Sequence, residues 1–203
     1  MANLHAIHSV SRALVNYLRG SFPPGLVTPA PAFEVFSSAQ QHTPGSPGNT
    51  VSLWLYRITT NEHARGVVPT AGAAGAAAPL ALDLHYLLTV WADDASNEQT
   101  LLAWAMTQIH RTPQMDISLL SDQIVLPGAS HPAGWRLDDV LTVVQEAMSS
   151  EDLMRIWGAV SSPYHISVPY VVRVVRIDAE TIVEPARVVS TRMRFEGVEA
   201  DNE

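Results

Sequence analysis

The sequence predicts an α/β (α+β) fold, a single mixed, mostly antiparallel β-sheet flanked by two or three helices. Three observations carry this. Leu80, Leu82, Leu84, Tyr86, Leu88 and Val90 recur at period two and share one face of a long strand. Leu4, Ile7, Ser11, Leu14 and Leu18 recur at helical spacing, with His8 and Val15 beside them on an apolar face. "VSLWLYRIT", residues 51–59, is apolar on both sides, as a central strand is.

Taken in order, residues 3–19 form a helix, stopped by Gly20 and then Pro23-Pro24. "PAFEVF" (31–36) is a short strand, followed by the turn-rich "SSAQQHTPGSPGNT" and the 51–59 strand. "GVVPTAGAAGAAAP" (66–79) reads as an exposed, poorly ordered loop, because its glycines and flanking prolines outweigh the helical preference of alanine. On the strand after it, the second face runs Ala81, Asp83, His85, Leu87, Thr89, Trp91 and turns apolar only toward its end. "ADDASNEQ" reverses the chain, and Ser96 with Gln99 fits a capping box. That helix runs to about Arg111 with Leu101, Leu102, Ala105, Met106 and Ile109 inward, and Pro113 ends it.

Residues 113–149 read as a long loop around Trp135, with strand character only in "DISLL" and "QIVL". "SSEDL" starts a short helix near 150–160 that turns Leu153, Ile156 and Trp157 inward. "HISVPYVVRVVRID" (165–178) is a strand, placed at an edge or at its start by Pro169, which lacks a donor. "ARVVSTRMRF" (186–195) is a last strand, and residues 196–203 are an acidic, disordered tail. The expected organisation is one domain over 1–195.

Composition narrows the function. Of 203 residues, 47% are hydrophobic, and the mean hydropathy is +0.08, which describes a water-soluble globule. No apolar run reaches the ~20 residues of a membrane span. The N-terminus has no signal-peptide pattern, so synthesis and folding in the cytoplasm are expected. There is no cysteine, which excludes disulfides, thiolate nucleophiles and Cys-based zinc sites. A net charge of -8 argues against a nucleic-acid partner. All 12 basic residues are arginine, a residue suited to interfaces.

Catalytic patterns are sparse. His5 and His8 lack the spacing of a metal motif. Asp83 and His85 share a strand face, yet no nucleophile elbow accompanies them. Asp93, Asp94 and Glu98 sit where capping and solvation explain them, with a divalent-cation site as the alternative. No phosphate loop, cofactor motif or metal motif emerges. The arginines form a better pattern. Arg173 and Arg176 lie on one strand, and Arg187, Arg192 and Arg194 follow. They make a locally basic face, paired either with Asp178, Glu180 and Glu184 or with an acidic partner surface.

The order of motifs adds to this. "LHAIHSVSRALVNYL", "VSLWLYRITTNEHARG", "PLALDLHYLLTVWADDASNEQTLLAWAMTQIHRTP" and "LMRIWGAVSSPYHISVPYVVRVVRID" together resemble the cap, or tail-terminator, proteins of phage-tail-like contractile injection systems. Within these, the chain is similar to the N-terminal domain of the Photorhabdus virulence cassette type of cap. The resemblance spans residues 1–180. It implies a tail-terminator-like fold and a homo-hexameric ring that ends the inner tube and contacts the sheath, with no enzymatic activity, cofactor or metal. The chain departs from larger members in ending at Glu203, without an extended C-terminal region, and in its Ala/Gly segment.

Candidates for contact with the neighbouring subunit, tube or sheath are Arg173, Arg176, Arg192 and Arg194. Trp54, Tyr56 and Arg57 join them on a strand that could be open in the isolated protomer, and Trp135 joins as an aromatic anchor. Core burial is the competing reading for the tryptophans. The alternative roles are a neck or sheath-adaptor subunit, a small metal-dependent hydrolase built on Asp83 and His85, and a peptide-binding adaptor adding a strand beside Pro169.

Overall fold

The computed structural model describes residues 6–42, 48–61, 80–115, 140–160 and 162–177. Chain order is α1 (Ala6–Ser21), β1 (Ala32–Phe36), a 3-10 turn (Gln40–His42), β2 (Thr50–Thr60), β3 (Leu80–Trp91), α2 (Ala95–Arg111), β4 (Gln114–Met115), β5 (Leu141–Gln145), α3 (Ser150–Ala159) and β6 (Ser167–Ile177). The strands make one 6-stranded sheet in the order β1-β2-β3-β6-β5-β4. β1 runs parallel to β2, and the other pairings are antiparallel. The mixed, mostly antiparallel sheet read from the sequence is therefore present.

Helices α1 and α2 cover the first face. Leu82, Leu84, Tyr86, Leu88 and Val90 of β3 are buried there, as their alternation requires, against Val10, Leu14 and Leu18 of α1 and Leu101, Ala105 and Ile109 of α2. His8 points to solvent, because the buried face of α1 is centred on Ala6, Val10, Ala13 and Leu14. The Tyr86 hydroxyl lies 2.9 Å from Ser11 Oγ. Ser11 Oγ donates to the Ile7 carbonyl, so Tyr86 is the donor to Ser11. Burial pushes the Tyr86 hydroxyl far above its ordinary pKa.

The second face carries a smaller core of Phe36, Trp54, Leu87, Trp91, Trp157 and Val160. Trp91 is its centre, with ring centroids 5.7 Å from Phe36, 6.2 Å from Trp157 and 4.2 Å from His165. The buried hydroxyls on this face have partners on neighbouring strands. Trp91 Nε1 donates to Ser52 Oγ at 2.8 Å, and Thr89 Oγ1 lies 2.9 Å from Ser167 Oγ.

Several expectations change. The 113–149 segment is not loop throughout. Leu141 and Val143 alternate inward on β5, with the two-residue β4 beside it, and this short alternation was masked by the polar stretch before it. α2 is capped by Asp94, whose carboxylate accepts from the Asn97 N–H at 2.8 Å, and Ser96 lies inside the helix. A carboxylate at that position complements the helix dipole as well as accepting the bond, so it displaces the Ser96–Gln99 box. Pro169 lies near the start of β6, as its missing donor requires, yet β6 is an interior strand between β3 and β5. Residues 66–79, "DISLL", "QIVL" and the 186–195 strand lie outside the described residues.

The Ser11–Tyr86 pair yields an asymmetric prediction. Tyr86→Phe leaves Ser11 its bond to Ile7 and costs about 1 kcal/mol, whereas Ser11→Ala strands a buried hydroxyl and costs ~1–3 kcal/mol. Urea unfolding of the two variants should rank them in that order.

Candidate assembly interface

Two β-bulges flank β3 and decide what the second face presents. On β2 the register moves from Leu55↔Tyr86 to Arg57↔His85, so Tyr56 is an extra residue and Arg57 is delivered to the second face beside His85. On β6 it moves from Val172↔Leu84 to Val175↔Leu82. Both valines therefore enter the first core. Arg173, opposite Thr142, and Arg176, opposite Ala81, leave on the second face together.

Glu146, just past β5, ties these strands together. Its Oε2 accepts from the Tyr56 hydroxyl at 2.8 Å and lies 2.9 Å from His85 Nδ1, while Oε1 accepts from Arg57 Nη2 at 2.7 Å. Arg57 Nη2 also approaches His85 Nδ1 at 3.1 Å. A guanidinium only donates, so Nδ1 cannot serve both groups, and the shorter contact to the carboxylate puts the proton on Nδ1. His85 Nε2 then pairs with Thr59 Oγ1 at 2.8 Å. Burial works to raise the Glu146 pKa. The hydrogen bonds of His85 and Tyr56 and the charges of His85 and Arg57 overcome it, leaving the carboxyl below its ordinary value. Burial, and next the bond to this carboxylate, push the Tyr56 hydroxyl far up.

Hydroxyl, imidazole and carboxylate stand here in the order of a nucleophilic triad. The neighbouring cleft of about 480 Å³ is lined by Tyr56, Arg57, Glu146, Asp152, Arg155 and Ile156 among others. Thr59 and His85 are not among the residues that line this cleft. Asp83 accepts from Asn61 Nδ2 at 2.9 Å. The sequence pair Asp83–His85 is thus divided between two hydrogen-bond systems. Among the described residues, no group of three or more His, Asp or Glu side chains could hold a metal. The network fastens the connection leading to α3 onto the sheet.

The interface candidates separate accordingly. Trp54 is 8% exposed and belongs to the second core, the core reading of the two the sequence left for it. Tyr56 is half-buried and held by Glu146, and Arg57 is exposed but paired with Glu146. Arg173 and Arg176 are exposed. Neither joins an ion pair among the described residues. Arg192, Arg194, Trp135 and the acids Asp178, Glu180 and Glu184 lie outside the described residues. Sequence reading missed Glu146. A lone carboxylate after an unrecognised strand carries no local signal of partners on β2 and β3.

This sheet, helical on one face and roofed by a short helix on the other, is the fold of the tube-terminating caps of contractile injection systems. The chain is similar to the sheath/tube terminator of an extracellular contractile injection system, PVC, solved in its extended state. The TM-score is 0.56 at 19% identity, covering 97% of this chain and 65% of that one. It is also similar to the tube-terminating cap of the anti-feeding prophage, with a TM-score of 0.57 and 17% identity over 91% of this chain and 60% of that one. The chain thus spans less than two thirds of either terminator. No curated protein matches the sequence. Residues 9–191 match the Pvc16 N-terminal domain, and the chain belongs to that family.

Glu146→Gln tests the fastening. It removes the charge that Tyr56, His85 and Arg57 share and should cost ~1–3 kcal/mol at neutral pH, with little of it from exposed Arg57. Because the folded-state carboxyl is held low, its stabilisation is fully present above the ordinary value of 4.5 and disappears as pH falls through the lower folded value. Urea unfolding from neutral to acid pH should show the wild-type advantage over Glu146→Gln vanishing in that window.

Proposed function

We propose that this chain is the structural cap of a contractile injection particle. It forms a homo-hexameric ring on the last layer of the inner tube, arrests tube growth and contacts the end of the sheath. The observation that carries this reading is membership of the Pvc16 N-terminal domain family across residues 9–191. The fold supports it, since both similar structures are tube terminators, and this favours a cap over a neck or sheath-adaptor subunit. The role is mechanical and needs no cofactor or metal. A single domain over 1–195 presents the assembly surface. Arg173 and Arg176 are its polar contacts, and Arg57 is held ready beside them. Arg192, Arg194 and Trp135 are further candidates for contact with the neighbouring subunit, tube or sheath. Assembly takes place in the cytoplasm, and the described helices include none long and apolar enough to cross a membrane.

The test is size-exclusion chromatography with light scattering on the purified chain, alone and with its tube protein. A ring of discrete mass, free or only on tubes that then stop lengthening, is the expected result. A monomer indifferent to the tube overturns the reading.

A further inference from the structure

The second sheet face is divided along β3. From Leu87 to Trp91 it is roofed by α3 and the aromatic cluster. Toward Ala81 it is lined by charged and polar side chains. Here the bulge of β6 sets Arg173 and Arg176 side by side, exposed and without an ion pair among the described residues. Arg57, on β2 across β3, has 51% of its side chain exposed even while paired with Glu146. Strands spaced ~4.8 Å apart bring these guanidinium groups within roughly 10 Å of one another in strand separation.

The rest of the chain is acidic, with a net charge of -8. The far end of β3 carries the opposite sign. Asp93 and Asp94 are exposed immediately after Trp91, and Glu98 lies in the first turn of α2. Along β3, Ala81 (opposite Arg176) and Trp91 are roughly 34 Å apart at ~3.4 Å per residue. The two patches of one copy therefore cannot neutralise each other, since screening at physiological salt acts over about 8 Å. A symmetric pairing of two copies through the arginine face would set like charges together. A head-to-tail contact joins opposite signs, and heterologous contacts of this kind generate rings when the rotation between copies closes.

We infer that the arginine-bearing half of the second sheet face, at Arg173 and Arg176, docks the Asp93–Asp94 end of a second copy of this chain, head to tail. This rests on the assembly reading above and assigns its subunit contact. Sedimentation of the full-length chain, free and on short tubes, tests it with two variants. One is Arg173→Glu/Arg176→Glu, acidic at both ends. The other is Asp93→Arg, which keeps the arginine face and removes most of the acidity of the far end, with Asp94 kept because it caps α2. Each variant alone should associate about tenfold or more weakly than wild type. An equimolar mixture of the two should associate again, because each then offers what the other lacks. Raised salt should weaken the wild-type contact.

Wild-type association by the arginine variant overturns the inference. So does a mixture that fails to recover, which would assign the arginines to carboxylates of the tube or sheath. The two readings fail separately. Tubes still capped by variants that never recover in the mixture would remove this contact and leave the cap. Recovery in the mixture without any effect on tubes would do the reverse.

Discussion

Burial of β3 on both faces over its second half is the constraint that the rest of the molecule answers. Leu84, Tyr86, Leu88 and Val90 must meet helices on one side, while Leu87 and Trp91 need cover on the other. A strand buried on both sides also hides polar positions. Thr89 and the facing Ser52 are buried completely. Both are made tolerable by partners on adjacent strands, Ser52 by the Trp91 indole and the Thr89 carbonyl and Thr89 by the Ser167 hydroxyl, since a buried polar group without a partner is costly. The roof itself is light. Trp157 alone of the α3 side chains is buried, and its indole N–H has no partner among the described residues. The Glu146 network supplies attachment that so small an apolar contact does not.

The first face of the sheet was legible because its signals are local and periodic. The alternation from Leu80 to Val90 and the helical spacing of Leu101, Ala105 and Ile109 identify their own elements and buried sides. What escaped depends on partners distant in sequence. β5 is short, and its alternating Leu141 and Val143 become meaningful only beside β6. The bulges that turn Arg57 and Arg176 onto the second face leave no mark in composition, because one extra residue in a strand looks like any other. For Trp54 the sequence left core and interface both open, and pairing with Phe36 on β1 places it in the core. Asp94 outcompeted Ser96 as a cap through its charge, which a pattern of residue types does not weigh.

The same second face thus holds two unlike surfaces. One end is an aromatic interior closed by α3, and the other is a polar field shaped by bulges, with Glu146 at the seam between them. Tyr56, Arg57 and His85 are tied into that seam. A load applied to the charged end would therefore reach the connection to α3 through hydrogen bonds to a single carboxylate.

In β1, the Ala32 N–H bonds Asn49 toward β2, so Phe33 and Val35 aim their backbone groups outward. Arg19 reaches across from α1 and donates to the Phe33 carbonyl. Among the described residues the opposite margin is β4, Gln114–Met115. An unguarded margin would invite strand after strand to add on, and copies of the chain could grow into a ribbon of their own. Here a side chain from α1 occupies the margin at β1. A molecule read as the end-stop of a polymer thus guards, at that strand, against seeding another.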